Sequence, residues 1–217
     1  MTTWDRRIQR ALELQETYPA AAELLAFYCE IARFLKGPNR TPGMLLTIMR
    51  DAGPPVLATA AERLMEIDEW DPADPTVQFV NRVLHVGQAF SPAQSSESPT
   101  HCPACSELPV VASLKPEGEG GKRYLTCSLC FIEWPFNRMQ CPHCGEHRQE
   151  ALPVYNAEQF PYIRIEACDT CKRYIKCVDM TRNGLAIPEV DEMASLPLDI
   201  WATGQNYIKI QTNLFGL

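Results

Sequence analysis

The chain has 217 residues, 46% of them apolar and 22% charged, and a formal net charge of −7, a globular composition with room for one large domain or two small ones. No run approaches the ~18 uninterrupted apolar residues of a membrane helix, and the start, Met1-Thr-Thr-Trp-Asp-Arg-Arg, leads into an amphipathic pattern and not the apolar core of a signal peptide; a cytoplasmic location is expected. Residues 101–180 carry nine Lys/Arg against ten Asp/Glu, which lacks the concentrated basic face a duplex partner needs, so no nucleic-acid partner is expected.

Residues 1–90 predict a bundle of helices. Thr2 with Asp5 three positions on reads as a capping box, followed by Trp4, Ile8, Ala11 and Leu12 at helical spacing. Pro19 opens a second helix whose stripe is Leu24, Tyr28, Ile31 and Leu35, with Gly37 as its stop. Thr41-Pro42 starts a third, with Met44, Leu45, Ile48 and Met49 facing inward. Pro54-Pro55 break the chain before Val56–Ile67, and Asp74-Pro75 starts the last helix, carrying Val77, Val80, Val83, Leu84 and Phe90. Residues 91–100 form a Ser/Pro linker with little to bury.

Beyond the linker the pattern changes to short β-like runs. Pro109–Leu114 and Arg123–Thr126 flank the Gly-rich turn at 117–121, and Val154-Tyr155 and Tyr162–Glu166 flank a second turn at 159–161. In the tail, Asp191–Ala202 is partly helical, with Met193, Leu196, Leu198, Ile200 and Trp201, and Tyr207–Gln211 is a closing strand. The expected fold class is α+β: an all-α domain over 1–90, two tandem rubredoxin-like or zinc-ribbon-like β modules at 101–138 and 139–180, and a helix/strand segment at 181–217 that packs on them.

Eight of the ten cysteines form four Cys-x-x-Cys pairs: Cys102/Cys105, Cys127/Cys130, Cys141/Cys144 and Cys168/Cys171. In a reducing compartment this spacing marks metal knuckles and not a disulfide framework. Each knuckle lets two sulfurs converge on one ion, and two knuckles joined by a hairpin complete a tetrahedral four-sulfur site. The sequence repeats itself here. Both first knuckles read Cys-Pro-x-Cys, and both second knuckles have an arginine four residues upstream, Arg123 and Arg164. The repeat favours sequential pairing, one site from Cys102, Cys105, Cys127 and Cys130 and another from Cys141, Cys144, Cys168 and Cys171, with an interleaved cross-brace as the alternative. Zinc and rubredoxin-type iron both suit four sulfurs. Eight thiolates add eight negative charges and two divalent ions return four, so the loaded chain is more acidic still. A thioredoxin-like dithiol at any one pair leaves six cysteines unexplained.

The remaining candidates read as structural. Cys29 lies on the second helix's apolar stripe, and Cys177 is a buried spectator that could exchange as a ligand. His101 and His143 abut cysteines without completing a site; His147 and His85 have no nameable partner. Phe131, Trp134 and Phe136 form a small aromatic core for the first module, and Arg123 and Arg164 brace the anionic sites or the hairpins. No catalytic constellation stands out.

On these motifs the chain resembles the formate dehydrogenase accessory protein family, FdhE. The matching stretches are Cys102-Pro-Ala-Cys105, Gly121–Cys130 with Glu133-Trp134, Arg138–Gly145, and Arg164–Lys176, with Leu196–Ala202 and Asn213–Gly216 in the tail. The likeness is specific over 101–217 and weaker in the helical half, which is short compared with longer members. The resemblance implies a non-catalytic cytoplasmic maturation factor that binds the catalytic subunit of formate dehydrogenase, with rubredoxin-like four-cysteine sites reported to hold iron. Two other functions compete with it on the residues alone: a zinc-ribbon interaction module for protein or nucleic acid, and a rubredoxin-like electron-transfer protein.

Overall fold

In the computed structural model, which describes residues 2–87, 100–117 and 121–217, the capping box is formed: the Asp5 N–H donates to the Thr2 hydroxyl and the Thr2 N–H to the Asp5 carboxylate. Phe90, the linker up to residue 99 and positions 118–120 of the Gly-rich turn lie outside the described residues. The chain divides into two units, Met1–Gln88 and Ala89–Leu217.

The first unit comprises α1 (Thr3–Thr17), α2 (Ala22–Lys36), α3 (Pro42–Ala52), α4 (Pro55–Met65) and α5 (Pro75–His85). Thr41 and Asp74 cap α3 and α5 by accepting the N–H groups of Met44 and Thr76, and a proline occupies the first turn of α3, α4 and α5, where its missing N–H costs nothing. Leu14, Leu25, Tyr28, Ile31, Leu35, Leu45, Met49, Leu64, Val80 and Val83 form the core. The inward faces differ from expectation in places. Leu12, Met44, Val56 and Ile67 are exposed, while Leu14 and Leu46 are buried. Runs such as Met44-Leu45-Leu46 offer adjacent apolar residues that satisfy a helical stripe equally well, and only the neighbouring helix decides which one turns in. Ile67 lies past the end of α4.

The second unit is built, among the described residues, on a seven-stranded mixed sheet: β1 (Pro109–Lys115), β2 (Lys122–Cys127), β3 (Glu133–Pro135), β4 (Val154–Asn156), β5 (Ile163–Cys168), β6 (Arg173–Asp179) and β7 (Ile208–Lys209). The order is β3-β2-β1-β6-β5-β4, with β7 beside β6. All neighbours are antiparallel except two. β1 runs parallel to β6, Val111 opposite Lys176 and Leu114 opposite Asp179, and β7 continues that edge parallel to the start of β6. The two cysteine modules therefore share one sheet. β6 is a strand that the sequence pattern does not predict, the closing strand is shorter than Tyr207–Gln211, and the tail forms two helices, α6 (Pro188–Ala194) and α7 (Leu196–Gly204).

Alternation along the strands separates two faces. One buries Ala112, Leu114, Leu125, Ile175 and Cys177 with Trp134 and Phe136. The opposite face carries Lys176, fully buried, which pairs with Glu192 of α6 at 2.9 Å and with Asp199 of α7. Lys209 of β7 joins both acids, Tyr174 donates to Asp199 at 2.7 Å, and Asn213 donates to Glu192 at 3.1 Å. This balanced set of two cations and two anions ties the tail to the sheet. Burial would raise the pKa of Glu192, but Lys176 and Lys209 outweigh it and hold the value at about 2 against an ordinary 4.5. Because the folded value is depressed, its stabilising contribution is complete above pH 4.5 and is lost as pH falls towards 2. Urea unfolding followed by tryptophan fluorescence should show stability falling across that window. Glu192→Gln should cost about 3–5 kcal/mol at pH 7, the penalty for stranding a buried partner, and flatten the acid dependence.

Candidate metal centres

The Cys-x-x-Cys knuckles are turns at the ends of the module hairpins. In the first module the Cys102 N–H donates to Glu107 O at 2.8 Å and the Ser106 N–H to Cys102 O at 3.0 Å; in the second, Cys141 to Glu146 and Gly145 to Cys141 repeat both distances. The knuckle N–H groups also turn onto sulfur: Ala104 to Cys102, Leu129 to Cys127 and His143 to Cys141, each at 3.4 Å. All four knuckles close on a residue in the left-handed region, at Ser106 (φ 63°), Phe131 (58°), Gly145 (79°) and Lys172 (55°). Only one of these four positions is a glycine, so this shared feature is not visible in the sequence.

The eight thiols gather into two groups, Cys102/Cys105/Cys127/Cys130 and Cys141/Cys144/Cys168/Cys171, with the sulfurs of each within 4.8 Å of one another. The grouping is sequential; the cross-brace alternative does not occur. Sulfur separations are 3.3 Å (Cys105–Cys127), 3.5 Å (Cys102–Cys130) and 3.6 Å (Cys105–Cys130) in the first group. In the second they are 3.6 Å (Cys144–Cys168) and 3.8 Å (Cys141–Cys171). None is a disulfide, whose bond is ~2.05 Å. An ion ~2.3 Å from four tetrahedral sulfurs sets them about 3.8 Å apart, so both groups have the size of a four-sulfur site. The donor set and its N–H contacts fit such an ion.

Electrostatics point the same way. Burial pushes the Cys105 thiol up to about 12 and Cys141 to about 11. Cys127 is raised by its contact with Cys130, and Cys171 by burial and then by Cys141. Cys144 goes down: burial raises it, but the Glu146 contact and three neighbouring sulfurs prevail. For the thiols that are raised, burial and sulfur contact oppose ionisation, and a cation at the centre would reverse that opposition.

The first group lies in residues 101–138, which match the family model for the central domain of FdhE, and the second in residues 139–215, which match its C-terminal domain. The chain belongs to the FdhE family. It is 36% identical over 117 residues to a "Protein FdhE homolog" of Aquifex aeolicus, covering 54% of this chain and 41% of that protein. With a "Protein FdhE homolog" of Haemophilus influenzae it shares 32% identity over 139 residues, covering 64% of this chain and 44% of the relative. The chain thus spans less than half the length of these curated relatives. The crystal structure of the FdhE protein from Pseudomonas aeruginosa has the same fold, with a TM-score of 0.73 at 22% identity over 97% of this chain and 94% of that one.

Other candidate residues of this FdhE-family chain take structural places. Cys29 and Cys177 are buried outside both groups, and burial raises the thiol of each. His101, His143 and His147 are exposed beside the modules. Arg123 and Arg164, equivalent in the repeat, converge on one carboxylate, Glu166: Arg123 reaches it at 2.6 Å, and Arg164 grips it through Nε and a terminal nitrogen at 3.0 and 2.6 Å. Burial would raise Glu166, and the two guanidiniums hold it below its ordinary value instead. The sequence held a trace of this residue, since the equivalent position of the first module is Leu125.

The left-handed knuckle residues supply a test. A non-glycine residue there costs about 1–2 kcal/mol, partly offset by the greater entropy of unfolded glycine, so Ser106→Gly should stabilise the chain by about 0.5–1 kcal/mol. Gly145→Ala should lose about 1 kcal/mol, because its new Cβ meets only Gln140 at an ordinary 3.8 Å and the backbone conformation alone is strained. Urea midpoints of the two variants read both effects.

Proposed function

We propose that each four-thiol group holds one metal ion, zinc or rubredoxin-type iron, with Cys102, Cys105, Cys127, Cys130, Cys141, Cys144, Cys168 and Cys171 as the ligands. We further propose that the chain is a non-catalytic cytoplasmic accessory factor in formate dehydrogenase maturation, binding the enzyme's catalytic subunit. The carrying observation is the coincidence of two complete four-thiol groups with the two segments that match FdhE domains. In this reading the chain is organised as a helical domain over 1–90, a linker over 91–100, four-cysteine ribbons at 101–138 and 139–180, and a tail at 181–217.

Four protein sulfurs complete a tetrahedral ion, leaving none of the open positions that hydrolytic zinc needs; bound zinc would cross-link the hairpins, and iron would add a one-electron couple. The chain's own groups supply the rest. Hairpins present the thiols, knuckle N–H groups support the sulfur charge, and the shared sheet fixes the spacing. Among the described residues no helix is long and apolar enough to cross a membrane, and the acidic balance of residues 101–180 disfavours nucleic acid as the partner.

Elemental analysis of anaerobically prepared protein should find two ions per chain, with a red ferric spectrum for iron and no colour for zinc. Cys102→Ser and Cys127→Ser should each lower the count to one, while Cys29→Ala and Cys177→Ala should leave it at two. Deletion of the gene should abolish formate dehydrogenase activity, and the protein should co-purify with the catalytic subunit. Unimpaired formate oxidation in the deletion strain refutes the maturation role and leaves the metal count standing.

A further inference from the structure

The two centres repeat each other in their sulfurs but not in what holds their second knuckles. In the first centre that knuckle is Cys127-Ser-Leu-Cys130. Leu129 packs against the apolar layer, and the Ser128 hydroxyl is buried without a hydrogen-bond partner. In the second centre the knuckle is Cys168-Asp-Thr-Cys171, and both intervening side chains are exposed and hydrogen-bonded. The Thr170 hydroxyl donates at 2.7 Å to the carboxylate of Glu146, which follows the Cys141–Cys144 turn, so this bond joins the two knuckles. The Tyr207 hydroxyl, in the tail, donates to the Asp169 carboxylate at 2.9 Å. We propose that these two hydrogen bonds are latches on the Cys168–Cys171 knuckle, and that they set how fast the second centre releases its metal. The inference rests on the reading above that each four-thiol group holds one ion.

Release from four sulfurs requires a knuckle to swing away, because each knuckle carries two of the four ligands. The rate then follows local opening of the chain around the site. The first centre resists opening by burial: Cys102 and Cys127 lie in the apolar layer, Leu129 packs against it, and none of the four cysteines is exposed. The second has less of this protection, since Cys144 is exposed. Its latches are set on a fixed frame. Glu146 belongs to the opposing knuckle, where its carbonyl accepts the Cys141 N–H at 2.8 Å. Its carboxylate accepts the N–H groups of His147 and Arg148, each at 3.0 Å, and the Arg148 guanidinium at 2.8 Å. The carboxylate is thus already aimed when Thr170 meets it, and the bond costs little further ordering. Tyr207 is buried with its ring beside that of Tyr155, so Asp169 is fastened to the body of the sheet unit. The repeat shows that the first latch is particular to this centre. Glu107 stands in the first module where Glu146 stands in the second, but Leu129 takes the place of Thr170 and has no hydroxyl to donate.

The test is zinc release from the loaded full chain in excess EDTA, with the zinc left on the protein counted at intervals. The unmutated chain should start with two ions. Thr170→Val and Tyr207→Phe keep the shape of each side chain and delete its hydroxyl. Each should speed the loss of one ion about fivefold, the effect of one hydrogen bond near solvent, and leave the loss of the other unchanged. Thr170→Ser keeps the hydroxyl and should release both ions at the unmutated rates. A general loss of stability would hasten both ions together. Release unchanged in both Thr170→Val and Tyr207→Phe overturns the proposal, as does equal acceleration of the two ions. A count below two before EDTA is added refutes the metal reading and the latches with it, whereas a full count with unchanged rates refutes the latches alone.

Discussion

The parallel pairing of β1 with β6, from Val111 opposite Lys176 to Leu114 opposite Asp179, turns two small cysteine modules into one body. A ribbon of some 30–40 residues is too small to bury a sufficient core alone. Joining the ribbons edge to edge gives both a common apolar layer, in which Ala112, Leu114 and Leu125 from the first module meet Ile175 and Cys177 from the second. The same seam fixes what lies behind the sheet. Lys176, next to Ile175 in sequence, points to the opposite face, where Glu192 and Asp199 hold it and draw α6 and α7 onto the strands. A one-residue slip of β6 would exchange the faces, sending Lys176 into the apolar layer and Cys177 into the charge cluster. Hydrophobic burial and ion pairing therefore select one register together.

Charge shapes the sheet unit on both faces, and differently. Behind the sheet two lysines meet two acids, and the cluster is neutral. In front, the repeat-equivalent Arg123 and Arg164 share Glu166, and the cluster is cationic. It adjoins Cys141 and Cys168, whose site becomes anionic when loaded, so the arginines offset charge that the thiolates bring. A shared carboxylate also spans strands that are not neighbours, since Arg123 lies on β2 and Glu166 on β5. The ion pair thus reinforces the β1–β6 seam by bracing the strands outside it.

What the sequence disclosed follows from how local each signal is. The knuckles, their sequential pairing and the Thr2–Asp5 cap depend on residues close together or on a repeat, and all were legible. The strand β6 is hidden because Arg173–Asp179, Arg-Tyr-Ile-Lys-Cys-Val-Asp, mixes charged and apolar residues with no clean sign of which face is wet; both faces are in fact buried over Tyr174–Val178. A lysine in the middle reads as solvent-facing until Glu192 and Asp199, far along the chain, are brought to it. Glu166 reads as an ordinary strand residue for the same reason: Arg164 is only two residues away on β5, but its other partner, Arg123, lies on β2. The choice of Leu46 over Met44 as the buried residue of α3 rests on neighbouring helices that the periodicity of one helix does not encode.

The two centres repeat each other in sulfur geometry but not in backbone strain. At the first, both knuckles close on non-glycine residues with positive φ, Ser106 and Phe131; at the second, one closes on Gly145 and the other on Lys172. At about 1–2 kcal/mol per non-glycine residue, the first centre stores about 2–4 kcal/mol and the second about half that. Structural zinc sites in small peptides bind with about 10–16 kcal/mol, enough to hold either conformation with a margin. Were an ion bound and then removed, the strain would return to the hairpin, and the first hairpin has more of it to release. The first centre is also the one whose sulfurs belong to the common apolar layer, through Cys102 and Cys127. An ion held there would therefore support that apolar layer as well as its own hairpin. The second centre, with Cys144 exposed, sits nearer to solvent. A duplicated motif has in this way come to occupy two different physical environments.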